Sequence, residues 1–254
     1  MQEAYSSRRP AMRKVAAITI GQSPREDLTP DLHRILSPNI ELCEFGALDG
    51  LKADKLKKLI QQQISPVSVT PSSPCQRLLV SRLRDGSEIT FPEEIIIPLV
   101  QDCISKAELS GCEATLLLCT GEFPEFEHQR PLLIPRRLIY NILPPLVGKQ
   151  KLGILLPNSE QKRDYIEHFD LFCHGLHRDQ LSIYTASPYQ SEDGVILQAK
   201  KMSDDAEPSL IYLDCFGYTI HMKKIIEKIT GIPVLLPRTM MARILNELYG
   251  GAKC

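Results

Sequence analysis

Two cysteines occupy equivalent positions in two similar stretches of this 254-residue sequence. Thr115–Gly121 reads TLLLCTG and Ile211–Gly217 reads IYLDCFG, so each stretch is an apolar run followed by a Cys, one further residue and a Gly. A thiolate and a thiol on opposite faces of one carbon atom can act as base and acid if the surroundings lower one pKa. A single thiolate can instead attack a carbonyl group or an activated double bond. We therefore take Cys119 and Cys215 as candidate catalytic residues.

The remaining cysteines lack this repeated setting. A cysteine at the end of a strand is usually a buried packing residue, so it is the equivalent placement of two of them that favours function. No CxxC pair is present, which argues against a structural zinc site. The stretch Cys173-His174-x-x-His177 is predicted to be an exposed helix end, and no metal site is expected. The six cysteines predicted to be packing or exposed residues are Cys43, Cys75, Cys103, Cys112, Cys173 and Cys254.

A second pair of similar stretches extends the repeat. Leu133–Ile139 (LIPRRLI) matches Leu235–Met241 (LLPRTMM), and each is an apolar pair followed by Pro-Arg and a helical pattern. Both halves also open with an apolar strand, at Val15 and at Leu152. A strand, a long connection, a strand with Cys-x-Gly and a Pro-Arg helix thus occur twice in the same order. This order predicts two similar lobes.

The elements between these motifs indicate an α/β fold. Continuous apolar runs of strand length are typical of parallel sheets buried on both faces, and here they alternate with amphipathic helical patterns. Leu78–Phe91, with Asp85-Gly86 between two alternating runs, predicts an inserted antiparallel hairpin. Ile64–Cys75 is predicted to be an irregular connection. The predicted helices are Glu94–Leu109, Arg137–Leu146, Glu160–Phe172, Glu192–Met202 and Lys223–Ile229.

Parallel sheets bind ligands beyond the carboxyl ends of their strands, where both candidate cysteines lie. If the lobes face each other across a pseudo-twofold axis, the two thiols point into one cleft from opposite sides. The backbone N–H groups after each cysteine, at Thr120, Gly121, Phe216 and Gly217, are candidates to bind a carboxylate, because glycine allows close approach.

Each half offers further polar candidates in the loop after its first strand. In the first loop, Arg25 could pair with a substrate carboxylate and Ser23 could donate a hydrogen bond, or Ser23 and Pro24 could instead begin a helix. In the second loop, Asn158 or Ser159 could cap a helix or bind the ligand. The arginines of the two Pro-Arg pairs, Arg136 and Arg238, are expected to start helices and to pair locally.

Composition and missing motifs exclude several classes of protein. Thirty Lys and Arg against 31 Asp and Glu leave a formal net charge of −1, which excludes a polybasic nucleic-acid binder. With no run of 18 apolar residues and no secretory signal, no membrane span is expected, and we predict a cytoplasmic protein with reduced thiols. No GxGxxG, Walker or GxSxG pattern occurs, so neither a nucleotide nor a serine hydrolase is indicated.

Six motifs together resemble the AroM family, which is in turn similar to the aspartate/glutamate racemase superfamily. The resemblance extends from about Arg13 onward. It implies two α/β/α lobes with parallel four-stranded sheets, one catalytic cysteine from each lobe, at positions 119 and 215, and no cofactor. Members include amino-acid racemases, hydantoin racemases, maleate isomerases and arylmalonate decarboxylases. The motifs are Gly21–Arg25 (GQSPR), Glu44–Leu51 (EFGALDGL), Leu83–Gly86 (LRDG), Leu118–Gly121 (LCTG), Leu213–Gly217 (LDCFG) and Ile232–Pro237 (IPVLLP).

The sequence departs from the amino-acid racemases beside both cysteines. Thr120-Gly121 stands where those enzymes typically have Asn-Thr, and Phe216-Gly217 where they have Thr-His. We therefore predict a racemase or isomerase acting on another small carboxylate, amino-acid-like or dicarboxylate-like, and no conventional aspartate or glutamate racemase. The alternatives are a metabolite sensor with the same cleft and a lyase or decarboxylase that uses one cysteine.

The lobes are expected to divide the chain unevenly. Residues 13–136 would form the first lobe, joined by a C-terminal helix at 237–254, and residues 137–236 would form the second. A homodimer is the expected assembly.

Overall fold

The computed structural model describes residues 11–52, 54, 56, 58, 78–167 and 175–251. Within them the chain forms two four-stranded parallel sheets and one two-stranded antiparallel hairpin. The first sheet contains β1 (Arg13–Thr19), β2 (Ile40–Gly46), β5 (Ala114–Leu117) and β6 (Leu132–Leu133). The second contains β7 (Leu152–Leu156), β8 (Leu181–Thr185), β9 (Leu210–Leu213) and β10 (Val234–Leu235). The hairpin consists of β3 (Leu78–Arg82) and β4 (Glu88–Pro92).

The two sheets have the same strand order. The first runs β2-β1-β5-β6 and the second β8-β7-β9-β10, so the opening strand of each half lies beside the strand that leads to a cysteine. Every pairing within the two sheets is parallel. The α/β class, the two similar lobes and the inserted hairpin predicted from the sequence are therefore confirmed.

Five helices coincide with the predicted amphipathic stretches, although residues 168–172 of the stretch Glu160–Phe172 lie outside the described residues. Several helices begin at a capping side chain or at a proline. Ser191 and Thr219 each accept a hydrogen bond from the backbone N–H three residues later, and Pro135 and Pro237 occupy the first helical position of their helices. The predicted connection at Ile64–Cys75 lies outside the described residues. The helices are α1 (Thr29–His33), α2 (Glu93–Leu109), α3 (Pro135–Val147), α4 (Ser159–Glu167), α5 (Glu192–Ala206), α6 (Ile220–Thr230) and α7 (Pro237–Tyr249).

The central strands of each sheet are buried on both faces, as the continuous apolar runs predict. On β1, Val15 and Ala17 pack into a cluster that also includes Ile154 and Tyr212 of the second sheet, whereas Ala16 and Ile18 pack into a cluster confined to the first half. Alternate residues of one strand thus serve two cores. The shared cluster fixes the sheets relative to each other and positions their strand ends.

Helices α3 and α7 each cross to the opposite lobe. Helix α3 follows the last strand of the first sheet and packs against the second lobe, whereas α7 follows the last strand of the second sheet and packs against the first lobe. Tyr140 of α3 donates a hydrogen bond to Asp214, and its ring packs edge-on to Tyr212 at 5.8 Å. Asn246 of α7 donates to the Ile35 carbonyl and accepts from the Ser37 N–H. The expected division at 13–136 and 137–236, with helix 237–254 added to the first lobe, stays a prediction.

No helix in the described part of the chain has the length and apolar character needed to cross a bilayer.

Candidate active site

Cys119 and Cys215 line the same cavity, which has a volume of about 220 Å³. Each cysteine lies two residues beyond the end of its strand, at the carboxyl edge of its sheet. The two strand ends are in direct contact, because the Thr120 hydroxyl donates a hydrogen bond to the main-chain oxygen of Asp214 at 3.2 Å. The residue after one cysteine therefore touches the residue before the other. This contact brings two thiols, 96 positions apart in sequence, into one cavity.

Each sulfur accepts a hydrogen bond from the backbone N–H two residues later. The distances are 3.3 Å from the Gly121 nitrogen to the Cys119 sulfur and 3.3 Å from the Gly217 nitrogen to the Cys215 sulfur. These two N–H groups are thus directed at the thiols, and their expected role in binding a substrate carboxylate stays a prediction. A hydrogen bond of this kind favours a thiolate over a thiol.

Both glycines are needed for close packing around the thiols. A Cβ atom at Gly217 would lie 2.6 Å from Cζ of Tyr189, and one at Gly121 would lie 2.8 Å from Cδ2 of Leu79. Tyr189 and Leu79 also line the cavity. The Cys-x-Gly spacing is therefore explained by the shape of the cavity wall as well as by the bond to sulfur.

The two thiols differ in their surroundings. The pKa of Cys119 is raised to about 12, mainly by burial and to a lesser degree by Cys215, Asp214 and Glu93, while the Gly121 N–H lowers it. The pKa of Cys215 is raised to about 11, mainly by burial and also by Asp214. The Gly217 N–H, the Tyr189 hydroxyl and the Arg25 guanidinium act in the opposite direction and lower it. More neighbouring groups therefore favour the ionised form of Cys215 than favour that of Cys119.

The raised values predict a steep pH dependence of alkylation. A thiol with a pKa of about 11 is ionised to about one part in ten thousand at pH 7, and the thiolate is the nucleophile. The rate of reaction with iodoacetamide at both cysteines should rise about tenfold per pH unit from pH 7 to pH 10, with Cys215 ahead of Cys119. Peptide mapping by mass spectrometry measures both rates. A rate that levels off by about pH 9.5, as for an unperturbed thiol with a pKa of about 8.5, would contradict the result.

Asp214, which precedes Cys215, is a buried carboxylate at the wall of the cavity. Its oxygens accept hydrogen bonds from the Tyr140 hydroxyl at 2.5 Å and the Tyr212 hydroxyl at 2.9 Å. Burial raises the pKa of both phenols, so they stay protonated as donors. Arg136 Nη1 lies 3.9 Å from Asp214 Oδ2. No motif in the sequence marks Asp214 as a site residue, although Asp214 stands where the other half of the repeat has an apolar residue, Leu118.

Tyr189 is a second site residue that sequence analysis did not identify. It lies in the connection between β8 and α5, and its hydroxyl faces the Cys215 thiol and the Arg25 guanidinium. Burial raises the pKa of Tyr189, so the phenol is neutral and can donate to sulfur. No repeat or motif marks this position, and only the folded structure reveals it.

Arg25 lines the cavity, but its guanidinium is already engaged. Nε and Nη2 donate to the two carboxylate oxygens of Asp27, each at 2.8 Å, and Nη1 donates to the hydroxyls of Thr19 and Ser81. The bidentate edge suggested for a substrate carboxylate is therefore occupied by Asp27. What Arg25 supplies to the cavity is positive charge beside Cys215.

Ser23 does not line the cavity and does not cap a helix. Its hydroxyl donates to Asp49 Oδ2, and its N–H donates to Asp49 Oδ1 at 2.9 Å. The helix expected to begin at Pro24 is also corrected, since residues 24–28 contain turns and α1 begins at Thr29. The physical reason is the inward course of the loop, which buries Arg25 and ties its N–H to Glu44.

Asn158 and Ser159 lie beside the cysteine cavity rather than in it. Asn158 Oδ1 accepts a hydrogen bond from the Gln161 N–H at 2.8 Å, so Asn158 caps α4, as one of the two interpretations of this loop predicted. Both residues line a separate cavity of about 300 Å³. The next residues of α4, Glu160 and Gln161, reach the cysteine cavity instead.

The two arginines of the repeated Pro-Arg pairs hold equivalent backbone carbonyls. Arg136 Nη1 donates to the Thr120 oxygen at 3.2 Å, and Arg238 donates through Nε at 3.0 Å and through Nη2 to the Phe216 oxygen. Each arginine thus fastens the residue that follows a cysteine. The expectation of local pairing is wrong for Arg238, which forms an ion pair at 2.8 Å with Asp31 in the first half of the chain.

Within the described residues, no cluster of three or more His, Cys, Asp or Glu side chains could hold a metal ion. Cys173 and His174 of the sequence cluster lie outside that part of the chain, while His177 precedes a short 3₁₀ turn at Arg178–Gln180.

Comparisons with known proteins agree on family and fold. A family model described as AroM protein matches residues 15–249. No curated protein matches the chain in sequence. Allantoin racemase from Klebsiella pneumoniae is similar in structure, with 13% identity, a TM-score of 0.57, and 93% of this chain and 88% of that chain covered. Glutamate racemase from Thermus thermophilus has 14% identity, a TM-score of 0.55 and coverages of 96% and 85%. An arylmalonate decarboxylase has 14% identity, a TM-score of 0.54 and coverages of 95% and 94%. These likenesses show the two-lobed fold.

Proposed function

The chain belongs to the AroM protein family, and from that premise we propose that it is a cofactor-independent racemase or isomerase of a small carboxylate. Cys119 and Cys215 are its acid–base pair. The observation that carries the proposal is the presence of two thiols in one cavity, each with a glycine N–H directed at its sulfur. A cavity of about 220 Å³ is below the range of about 300–1,000 Å³ for drug-sized ligands, so it suits a small substrate.

The unequal surroundings of the two thiols support a different role for each. Cys215, beside Tyr189 and Arg25, is the thiolate that removes a proton from the carbon next to the substrate carboxylate. Cys119, beside Glu93 and Asp214, is the thiol that returns a proton to that carbon. After one turnover the proton has moved onto Cys215 and Cys119 is ionised, so exchange with solvent or the reverse reaction restores the pair. The two ionisations are coupled and belong to the pair as a whole.

Two alternatives each have one supporting observation. A metabolite-binding protein without catalysis is favoured by the raised pKa of both thiols, which leaves them protonated at neutral pH. A lyase or decarboxylase with one working cysteine is favoured by the difference between the two thiol environments. The fold does not separate these possibilities, since racemases and an arylmalonate decarboxylase resemble the chain about equally.

Incorporation of deuterium tests the proposal. The protein is incubated in heavy water with a panel of amino acids and dicarboxylic acids, and exchange at the carbon next to the carboxylate is followed by proton NMR. A racemase or isomerase should exchange that proton in at least one compound and form a stereoisomer or positional isomer of it. Binding of a panel compound with no exchange and no turnover would contradict the proposal and favour the sensor. Loss of carbon dioxide would favour the decarboxylase.

A cytoplasmic location and a homodimer belong to the same proposal. The five cysteines in the described residues are free thiols, which accords with a reducing compartment.

A further inference from the structure

The two equivalent arginines of the repeat have diverged in their relation to the cavity. Arg238 is only 1% exposed, and its guanidinium is bound to the Phe216 carbonyl, Asp31 and the Asp27 carbonyl. Arg136 lines the cavity and its side chain is 14% exposed. In the repeat, Arg238 is therefore bound to buried groups in the interior, whereas Arg136 places a positive charge at the wall of the cavity that the thiols line.

Arg136 touches both cysteine turns. Its Nη1 donates to the Thr120 oxygen, one residue after Cys119, and lies 3.9 Å from the carboxylate of Asp214, one residue before Cys215. Its guanidinium also lies over the Tyr140 ring, 4.6 Å from the ring centroid, which fixes the plane of the group. A ligand group bound by this guanidinium would therefore lie in the cavity that both cysteines line.

The distance of 3.9 Å between Arg136 and Asp214 is explained by the other partners of Asp214. Both carboxylate oxygens of Asp214 accept hydrogen bonds from tyrosine hydroxyls, which hold the carboxylate in place. Arg25, by contrast, has its bidentate edge closed on Asp27 at 2.8 Å. The Arg136–Asp214 contact, at 3.9 Å, is therefore longer than the two contacts of Arg25 with Asp27.

We propose that Arg136 binds the substrate carboxylate and thereby places the neighbouring carbon between the two thiols, with Asp214 as its fixed counter-charge. This inference rests on the proposed function, because it assigns the group that orients the substrate of that reaction. It selects substrates whose carboxylate is attached directly to the reacting carbon, since Arg136 contacts Thr120 and Asp214, the residues next to the two cysteines. Arg136 is then a specificity-determining residue, and the amide of a substrate should be a poor substitute.

Competing alkylating reagents test this role without a known substrate. Iodoacetate carries a carboxylate one bond from the carbon that reacts with sulfur, and iodoacetamide is its neutral counterpart. The ratio of the two alkylation rates at Cys119 and Cys215 is measured by peptide mapping in the wild type, Arg136→Gln and Arg136→Lys. A change in thiol pKa alters both rates equally and cancels in the ratio.

The ratio of iodoacetate to iodoacetamide reactivity should fall about ten- to a hundredfold in Arg136→Gln, the range that corresponds to loss of a charge-assisted hydrogen bond. It should fall less in Arg136→Lys, which keeps the charge but loses the planar fork. Arg137→Gln is the matched control, because Arg137 is the next residue of α3 and is bound to Glu125 and the Phe123 carbonyl outside the cavity. Its ratio should equal that of the wild type.

An unchanged ratio in Arg136→Gln overturns the proposal. If that variant does not fold, an unchanged ratio in Arg136→Lys overturns it instead. The experiment also separates this inference from the proposed function. A wild-type protein that prefers iodoacetate through Arg136, yet exchanges no proton in heavy water, would retain the carboxylate-binding residue and refute the racemase.

Discussion

Replacing either Cys119 or Cys215 by serine is expected to lower the rate of proton exchange at the substrate carbon by about 10²–10⁴-fold, the usual contribution of a positioned acid or base. The serine hydroxyl has nearly the shape of the thiol and can still accept the hydrogen bond from the glycine two residues later. Its proton is far harder to remove, however, so the variant loses the base or the acid and keeps the cavity. Exchange into each stereoisomer, followed separately by proton NMR in heavy water, measures the effect.

The pattern over the two variants decides between mechanisms. Loss in both supports a pair of thiols that work together, loss in only one supports the single-cysteine lyase, and survival of exchange in both excludes a catalytic role for the pair. Cys43→Ser is the control, because Cys43 is a partly buried thiol on β2 that lies outside the cavity. Its rate of exchange should match that of the wild type.

The topology of this protein could be predicted because its signals are local and occur twice. TLLLCTG and IYLDCFG each predict a buried strand and the turn that ends it. The two Pro-Arg pairs predict the strand that follows and the start of the next helix. Since the same local order is present in both halves, the same strand order follows, as β2-β1-β5-β6 and β8-β7-β9-β10 show. The meeting of the two cysteines in one cavity follows from this equivalence.

The connections inside the site could not be predicted, because they depend on contacts between distant residues. The Thr120 hydroxyl meets the Asp214 carbonyl across 94 positions, and no periodicity encodes that contact. Arg25 was a reasonable candidate for binding a carboxylate, but Asp27, two residues away, turns out to be its partner. One signal was available: the aspartate of IYLDCFG is a charged residue at the end of a buried strand, where its counterpart in TLLLCTG is leucine.

Replacing Arg238 by alanine is expected to lower the free energy of unfolding by about 3–5 kcal/mol, the cost of removing one partner of a buried ion pair. Arg238 is almost fully buried and connects the Phe216 carbonyl of the second half to Asp31 and the Asp27 carbonyl of the first. Its removal leaves the Asp31 charge without this partner and removes a link between the lobes. Denaturant unfolding measures the change.

A matched variant isolates the effect of the buried position. Arg243 lies on the same helix, α7, and is exposed, so Arg243→Ala should change the free energy of unfolding by no more than about 0.5 kcal/mol. A loss below about 1 kcal/mol in Arg238→Ala would mean that the pair contributes no more than an exposed ion pair. The assignment of Arg238 as a link between the lobes would then be wrong.

The same substitution should disturb one cysteine more than the other. Arg238 holds the carbonyl of Phe216, which follows Cys215, whereas Thr120, which follows Cys119, remains held by Arg136. In Arg238→Ala the turn after β9 therefore loses its anchor while the turn after β5 keeps it. Under conditions where the variant is folded, the rate of iodoacetamide reaction at Cys215 should rise relative to the rate at Cys119. An equal change at both thiols would indicate general loosening of the protein, because a loss of the Phe216 anchor acts on one lobe only.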